Sequence, residues 1–300
     1  MEEELVSVIM PAYNAEKFIH MSIASVMQQS YQNVELVIVD DGSVDSTWQI
    51  LERWEKAWPE RVKIFKREQN GGTGAALNDA IELAEGEYIC WLSADDLYCE
   101  NMVESEVNFL KQNSQYDAVF SRCSYIDENS HFLRELNYDR YAGFFEEGMA
   151  GMIMLLLNSN FWHGCTVLAK AACFKCGEKF NVNYKASQDY DFWVRMAADY
   201  DIGYLDQANV LSRSHSGQGS RQMNCNADEI CVFFNLLCRE DIMKKLCRKM
   251  GVLYSYENIK PFIEFRAMKY EGKEEELQTM SEGLRTYMDM ITTGRIHFEG

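Results

Sequence analysis

Three acidic pairs carry the chemistry that this 300-residue sequence offers: Asp40-Asp41, Asp95-Asp96 and Asp189-x-Asp191. The first two each follow a short apolar run, residues 34–39 and 87–92. A lone aspartate at the end of such a run is usually a helix cap. Two acidic pairs at matching ends of different strands point instead to a ligand, because open α/β sheets bind theirs beyond the carboxyl ends of the strands. Carboxylates do not hold phosphates directly. They hold a divalent cation through hard oxygen atoms, or accept hydrogen bonds from ribose hydroxyls and base N–H groups. An acidic edge that binds a nucleoside diphosphate therefore implies magnesium or manganese.

Two other nucleotide sites are excluded by pattern. The turn after the first strand, Pro11-Ala12-Tyr13-Asn14, has no glycine, which rules out a dinucleotide fingerprint. Gly71, Gly72 and Gly74 lack the lysine of a P-loop.

The elements that must position these groups follow from periodicity. Residues 5–10 and 34–39 read as buried strands, 62–66 as a short third strand and 87–92 as a fourth. Helices are expected over 16–29, over the segment after Ser43 or Asp45 as caps, and over 75–84. This strand–helix alternation predicts a parallel sheet covered on both faces, with right-handed crossovers. Beyond residue 115 the pattern loosens. Strands are expected at 117–126, 131–136, 165–169 and within 202–213, and helices at 148–157 and, capped by Ser187, at 188–199. From 228 onward the text is helical, over 228–249, 256–269 and 273–291.

At this point the chain resembles an inverting family 2 glycosyltransferase of GT-A fold. The resemblance rests on Val8-Ile9-Met10-Pro11-Ala12-Tyr13-Asn14, on Val37-Ile38-Val39-Asp40-Asp41-Gly42-Ser43, on Asn70-x-Gly72 with Asn78, on Ser93-Ala94-Asp95-Asp96, and on Gln188-Asp189-Tyr190-Asp191-Phe192-Trp193-x-Arg195. It spans about residues 5–215 and implies a mixed, mostly parallel, Rossmann-like α/β sheet. The expected domains are 1–215, catalytic, and 216–300, a C-terminal helical extension.

The resemblance also implies roles. Pro11, Ala12, Tyr13, Asn14, Asp40, Asp41, Asn70, Gly72 and Asp95 would contact the nucleotide-sugar, and Asp41 is equally suited to bracing its own turn. Asp96, Asp95 and His215 would hold the divalent metal, manganese or magnesium. Asp189 would be the catalytic base that an inverting transfer needs, with Asp191 as its rival. Two residues apart at a helix start, they lie about 200° apart on the helical wheel, so both cannot face one acceptor. The partners implied are a nucleotide-sugar, UDP-linked by analogy, and a glycan or lipid-linked hydroxyl acceptor. Ser93, Leu77 and Gln188 stand where relatives often carry Asp or Glu, Arg, and Glu. They keep open a second reading, a degenerate module that binds a nucleotide-sugar without turnover.

Composition agrees with these limits. With 29 Lys+Arg against 47 Asp+Glu the net charge is −18, of which −17 falls in residues 1–215. That balance argues against a nucleic-acid binder and against a polybasic membrane binder. Lys244, Lys245, Arg248 and Lys249 form only a modest basic cluster, which leaves peripheral membrane contact as a candidate role. The apolar C-terminal helices are equally suited to packing on the catalytic domain or on a second copy, a homo-oligomer. The acidic start, and a longest apolar run of nine residues where roughly 18–20 would span a bilayer, predict a cytoplasmic location, with the inner membrane face as an alternative. The 10 cysteines are expected as reduced thiols, and Cys173-x-x-Cys176 has no second pair at zinc spacing.

Overall fold

A computed structural model describes residues 3–175, 177, 179–219 and 225–298; Cys176 lies outside them. The chain divides into two compact units. One comprises residues 1–139, 162–182 and 201–216; the other comprises 140–161, 183–200 and 217–300. Residues 140–161 and 183–200 thus group with the C-terminal helices.

The first unit is built on one nine-stranded mixed sheet. Its strands are β1 (Val6–Ala12), β2 (Val34–Asp40), β3 (Val62–Lys66), β4 (Tyr88–Trp91), β5 (Leu97–Tyr98), β6 (Ala118–Ile126), β7 (Phe132–Glu135), β8 (Val167–Lys170) and β9 (Ile202–Arg213). The order is β3-β2-β1-β4-β8-β6-β9-β5, with β7 paired to β6. The β3-β2-β1-β4 half is parallel. β8 is antiparallel to both β4 and β6, and β9 runs parallel to β6. Every residue of β2 is buried, since the largely apolar run Val-Glu-Leu-Val-Ile-Val suits a central strand, and Glu35 is compensated by Lys63 at 2.7 Å. The register Ala12↔Asp40 brings the ends of β1 and β2 level, so their following turns share one edge.

The helices packed on this sheet are α1 (Ile19–Met27), α2 (Thr47–Ala57), α3 (Thr73–Leu83), α4 (Met102–Gln112) and the short α7 (Ala171–Lys175). α2 begins later than its expected caps. Asp40 Oδ1 accepts from Ser43 N at 3.1 Å and Asp45 Oδ1 accepts from Thr47 N at 2.9 Å. These local bonds hold residues 43–46 in turns and delay the helix to Thr47.

α4 buries a carboxyl. Glu106 is fully inaccessible, accepts a hydrogen bond from Asn209 Nδ2 at 3.3 Å, and is pushed up to about 8 by burial. Below about pH 4.5, its ordinary value, folded and unfolded chains are both protonated there. As pH rises toward 8 only the unfolded chain ionises, so stability falls and then levels off. Glu106→Gln removes that loss. Its advantage in folding stability is expected to grow between pH 5 and pH 8, reaching about 2–4 kcal/mol. A pH series of thermal melts checks this; an advantage independent of pH would contradict it.

The second unit is helical: α5 (Ala142–Glu146), α6 (Met149–Asn158), α8 (Gln188–Asp199), α9 (Cys225–Leu237), α10 (Glu240–Lys249), α11 (Tyr256–Lys269) and α12 (Glu274–Thr292). The segment 228–249, expected as one helix, is two, broken at Cys238-Arg239. Tyr190, Trp193, Phe233, Tyr254, Tyr270 and Tyr287 are fully buried in its core. A Cβ at Gly283 would fall 2.3 Å from the Phe234 ring, so glycine is what lets α12 lie against α9. No helix among the described residues is long and apolar enough to cross a membrane.

Candidate active site

The shared edge of β1 and β2 is tied into one surface. Pro11 and Ala12 end β1 and Tyr13 is exposed. Asn14 takes a positive φ of 47° and crosses to the neighbouring turn. Its backbone N–H donates to Ser43 Oγ at 2.9 Å, and its Oδ1 accepts from Val44 N at 3.0 Å.

The two aspartates at the end of β2 have different fates. Both oxygens of Asp41 are committed: Oδ1 accepts from Gly71 N at 2.9 Å and Oδ2 from Gly72 N at 2.7 Å. Arg67 Nε lies 2.9 Å from Oδ1 and pairs onward with Asp79. Asp41 therefore braces the Asn70–Gly72 loop. Asn70 Oδ1 accepts from Gly72 N, and Gly72 holds a φ of +86° that disfavours any side chain. Asp40 is fully buried, yet its Oδ2 has no hydrogen-bond partner; the Lys66 ammonium stands 3.8 Å away. A buried carboxylate oxygen left in that state is costly unless a ligand donates to it.

Asp95 and Asp96 also differ. Asp95 Oδ2 faces His215 Nε2 at 2.9 Å, both side chains partly accessible. His215 packs on the Phe18 ring at a centroid distance of 4.7 Å. Asp96 is turned inward, 2% exposed. Its Oδ1 accepts from Arg213 N at 2.7 Å, and its Oδ2 meets Cys165 Sγ at 3.6 Å and His163 Nε2 at 3.7 Å. Burial, and then the neighbouring charge of Asp95, push the Asp96 carboxyl up. Burial also lowers His163 to about 4, so its imidazole is neutral. Arg213 is neither at the surface nor open to a phosphate. It donates from Nε to Asp95 O at 2.9 Å and from Nη1 to Asp127 O and Ser130 Oγ, with Phe18 under its guanidinium.

Asp95 and His215 present an oxygen and a nitrogen 2.9 Å apart with partial access, which suits manganese or magnesium. Asp96, His163 and Cys165 also converge, as an oxygen–nitrogen–sulfur set with Asp96 and Cys165 buried and His163 partly accessible. Hard cations disfavour that set. Asp96, expected as a metal ligand, directs its Oδ2 into this second set.

Of the residues that depart from the family pattern, Leu77 and Gln188 are buried and Ser93 is partly accessible. Ser93 Oγ lies 3.3 Å from Cys165 Sγ. Asn78 makes two bonds to the backbone of Phe180, at 2.9 and 2.8 Å. Trp162 packs on Phe120 at 4.5 Å, in the core.

In the helical unit, α8 carries the remaining aspartates. Asp191 is 6% exposed and pairs with Arg195 one turn along, Nη2 at 2.7 Å and Nε at 2.9 Å from its Oδ2. Asp189 meets amides instead. Asn160 Nδ2 lies 3.3 and 3.2 Å from its two oxygens, and Tyr190 N donates at 2.7 Å. No cation pairs with Asp189 among the described residues. Burial outweighs these hydrogen bonds and raises its carboxyl to about 6. Asn160 and Arg67 are not marked as site residues by any motif in the sequence. Arg67, a cation just after β3, was visible there; nothing local marks Asn160.

The parallel β3-β2-β1-β4 half continued by antiparallel β8 is the arrangement of a GT-A fold. Residues 7–173 match the family model for glycosyl transferase family 2, and the chain belongs to that family. An uncharacterized glycosyltransferase of Haemophilus influenzae is 42% identical over 266 residues, 89% of this chain and 100% of the relative. One from Rickettsia conorii is 31% identical over 253 residues, 84% of this chain and 41% of that relative. The chain thus spans about two fifths of the length of the Rickettsia conorii, bellii and felis relatives. Two solved structures share the fold. Staphylococcus aureus TarS (1–349) with UDP-GlcNAc has a TM-score of 0.68 at 21% identity, covering 94% of this chain and 80% of that one. The Pyrobaculum calidifontis mannosyltransferase PcManGT with GDP-Man and Mn2+ has a TM-score of 0.64 at 18% identity, covering 98% and 80%.

Proposed function

We propose that this chain is an inverting, divalent-metal-dependent glycosyltransferase. It moves a sugar from a UDP-sugar to a hydroxyl of a cell-surface glycan or lipid-linked acceptor. The observation that carries the reading is the contrast between two neighbouring carboxylates. Asp191 is neutralised by Arg195, whereas Asp189 is held by amides and raised to about 6, the range of a working general base.

Asp40 Oδ2, buried and without a hydrogen-bond donor, suits a ribose hydroxyl or a base N–H, and Tyr13, just past the end of β1, offers an exposed aromatic face. Asp41 positions the Asn70–Gly72 loop. Asp95 and His215 would hold the cation, with Asp96 anchoring them through β9. When bound, a divalent cation offsets the negative charge that gathers on the departing diphosphate. Asp189 takes the proton of the acceptor hydroxyl as that oxygen bonds to the anomeric carbon. The bond from the anomeric carbon to the diphosphate oxygen breaks, and its electron pair leaves on the nucleoside diphosphate. An α-linked donor yields a β-linked product.

The test is nucleotide release from a panel that includes UDP-GlcNAc and GDP-mannose, with manganese or with chelator. Manganese-dependent UDP release, with stabilisation of the folded protein by UDP and manganese, is expected. UDP binding without release from any donor would identify a binding module instead.

A further inference from the structure

We propose that Arg266, acting with Tyr190 and Glu229, is a positioning residue that sets Asp189 in place, so that the C-terminal helices are part of the catalytic apparatus. This rests on the reading of Asp189 as base.

Arg266 lies on α11, 77 positions beyond Asp189 in the chain, and is fully buried. A buried guanidinium demands partners for all its donors, and those it finds belong to the elements that create the environment of Asp189. Nε donates to Leu157 O at 3.1 Å, near the C-terminal end of α6. Three residues further on stands Asn160, whose amide holds both oxygens of Asp189. Nη2 donates to the hydroxyl of Tyr190, the residue next to Asp189. Tyr190 in turn donates to Leu156 O at 2.7 Å. Nη1 pairs with Glu229 Oε1 at 3.0 Å. The guanidinium also lies over the Phe233 ring at 4.3 Å. One side chain thus fixes the end of α6 and the first turn of α8 relative to each other. A second residue of α9 supports the same turn: Asp228 Oδ2 accepts from Ala186 N and Ser187 N, both at 2.9 Å.

The planar fork matters, because a lysine ammonium has neither the reach nor the fixed geometry to serve three acceptors. The pair with Glu229 matters in another way. Glu229 raises the Asp189 carboxyl, and Arg266 and Lys269 both neutralise it. Among the described residues, other charged or titratable groups around α8 include Asp191 paired with Arg195 on the helix itself, Cys225 and Asp228 on α9, and the phenols of Tyr184 and Tyr270. On α10, Lys245 and Lys249 bind the far end of α8, at Asp199 and Tyr200 O. α6 contributes no titratable side chain.

The test compares Arg266→Met, Arg266→Lys and Tyr190→Phe with the wild type by two readouts. The first is the titration of the Asp189 carboxyl, followed by carbon-13 NMR of aspartate-labelled protein and assigned with Asp189→Asn. It needs no turnover. A midpoint near 6 is expected in the wild type. Arg266→Met is expected to move it upward, and Arg266→Met/Glu229→Gln to bring it back. The second is manganese-dependent UDP release. A fall in kcat of about 10- to 100-fold is expected for Arg266→Met, with donor KM within about twofold, and Arg266→Lys restoring only part of the loss. Tyr190→Phe keeps the ring and tests the same contact if Arg266→Met does not fold. Unchanged titration in folded Arg266→Met or Tyr190→Phe would overturn the proposal, as would activity lost only in proportion to Tm. If the wild type releases no nucleotide from any donor, the proposed function fails. The titration still decides the clamp.

Discussion

Asp189→Asn is expected to lower sugar transfer by about 10²- to 10⁴-fold, the usual worth of a positioned general base. UDP binding in manganese should stay within about twofold, because the residues assigned to the nucleotide and cation lie elsewhere in the chain. The wild-type rate should fall on the acid side with a midpoint near 6, since protonation removes the base. The residual rate of the variant should lack that limb. Asp191→Asn is expected to behave differently. It leaves the Arg195 guanidinium, whose side chain is only 9% exposed, without its carboxylate. Removing one partner of such a pair costs about 3–5 kcal/mol, so the defect should appear in Tm and in yield of folded protein. Rates per folded molecule and melting curves of the two variants separate these outcomes. A large kcat loss in Asp191→Asn at unchanged stability, with Asp189→Asn near wild type, would reverse the assignment.

Asp95→Ala and His215→Ala are each expected to abolish the response to manganese. In the wild type, UDP with manganese at about 100 times the dissociation constant should add about 2.7 kcal/mol to folding stability. The two variants should show the UDP contribution without the added effect of the metal, and chelator should make no difference to them. Neither change empties a buried space, since both side chains are partly accessible. Asp96→Ala makes the contrast. It strips the acceptor from Arg213 N and leaves a buried N–H unpaired, which costs about 1–3 kcal/mol. The folded fraction should still respond to manganese. Loss of the response in Asp96→Ala alone, with Asp95→Ala intact, would move the metal to Asp96.

Much of the first unit was readable from the chain. Val6–Ala12 and Val34–Asp40 are largely apolar runs that suit a central strand, and the change of period between them and the following helices marks an α/β sheet. The acidic strand ends, in their order along the chain, carry the resemblance to the family that the chain belongs to. The break at Cys238-Arg239 was not readable, because both halves of 228–249 keep helical composition and only packing separates them. Nor was the grouping of 140–161 and 183–200 with the C-terminal helices, which depends on contacts among distant segments.

What the sequence determined is which residue types stand at the strand ends and on α8: six aspartates, a histidine, a glycine loop. What only the tertiary structure decided is which of them are uncommitted. Asp41 is spoken for by Gly71 and Gly72, thirty residues away, whereas its neighbour Asp40 keeps one buried oxygen without a donor. Asp96 is drawn inward by Arg213 N across 117 positions, and Asp95 is left facing His215 across 120. Asp191 was the most readable of these, since its partner sits at i+4 on the same helix. Asp189 depends on Asn160 and, through Tyr190, on Arg266. The physical reason is common to all. A carboxylate's chemistry is set by its desolvation and by the donors around it, and the fold brings those donors from parts of the chain that no local pattern connects.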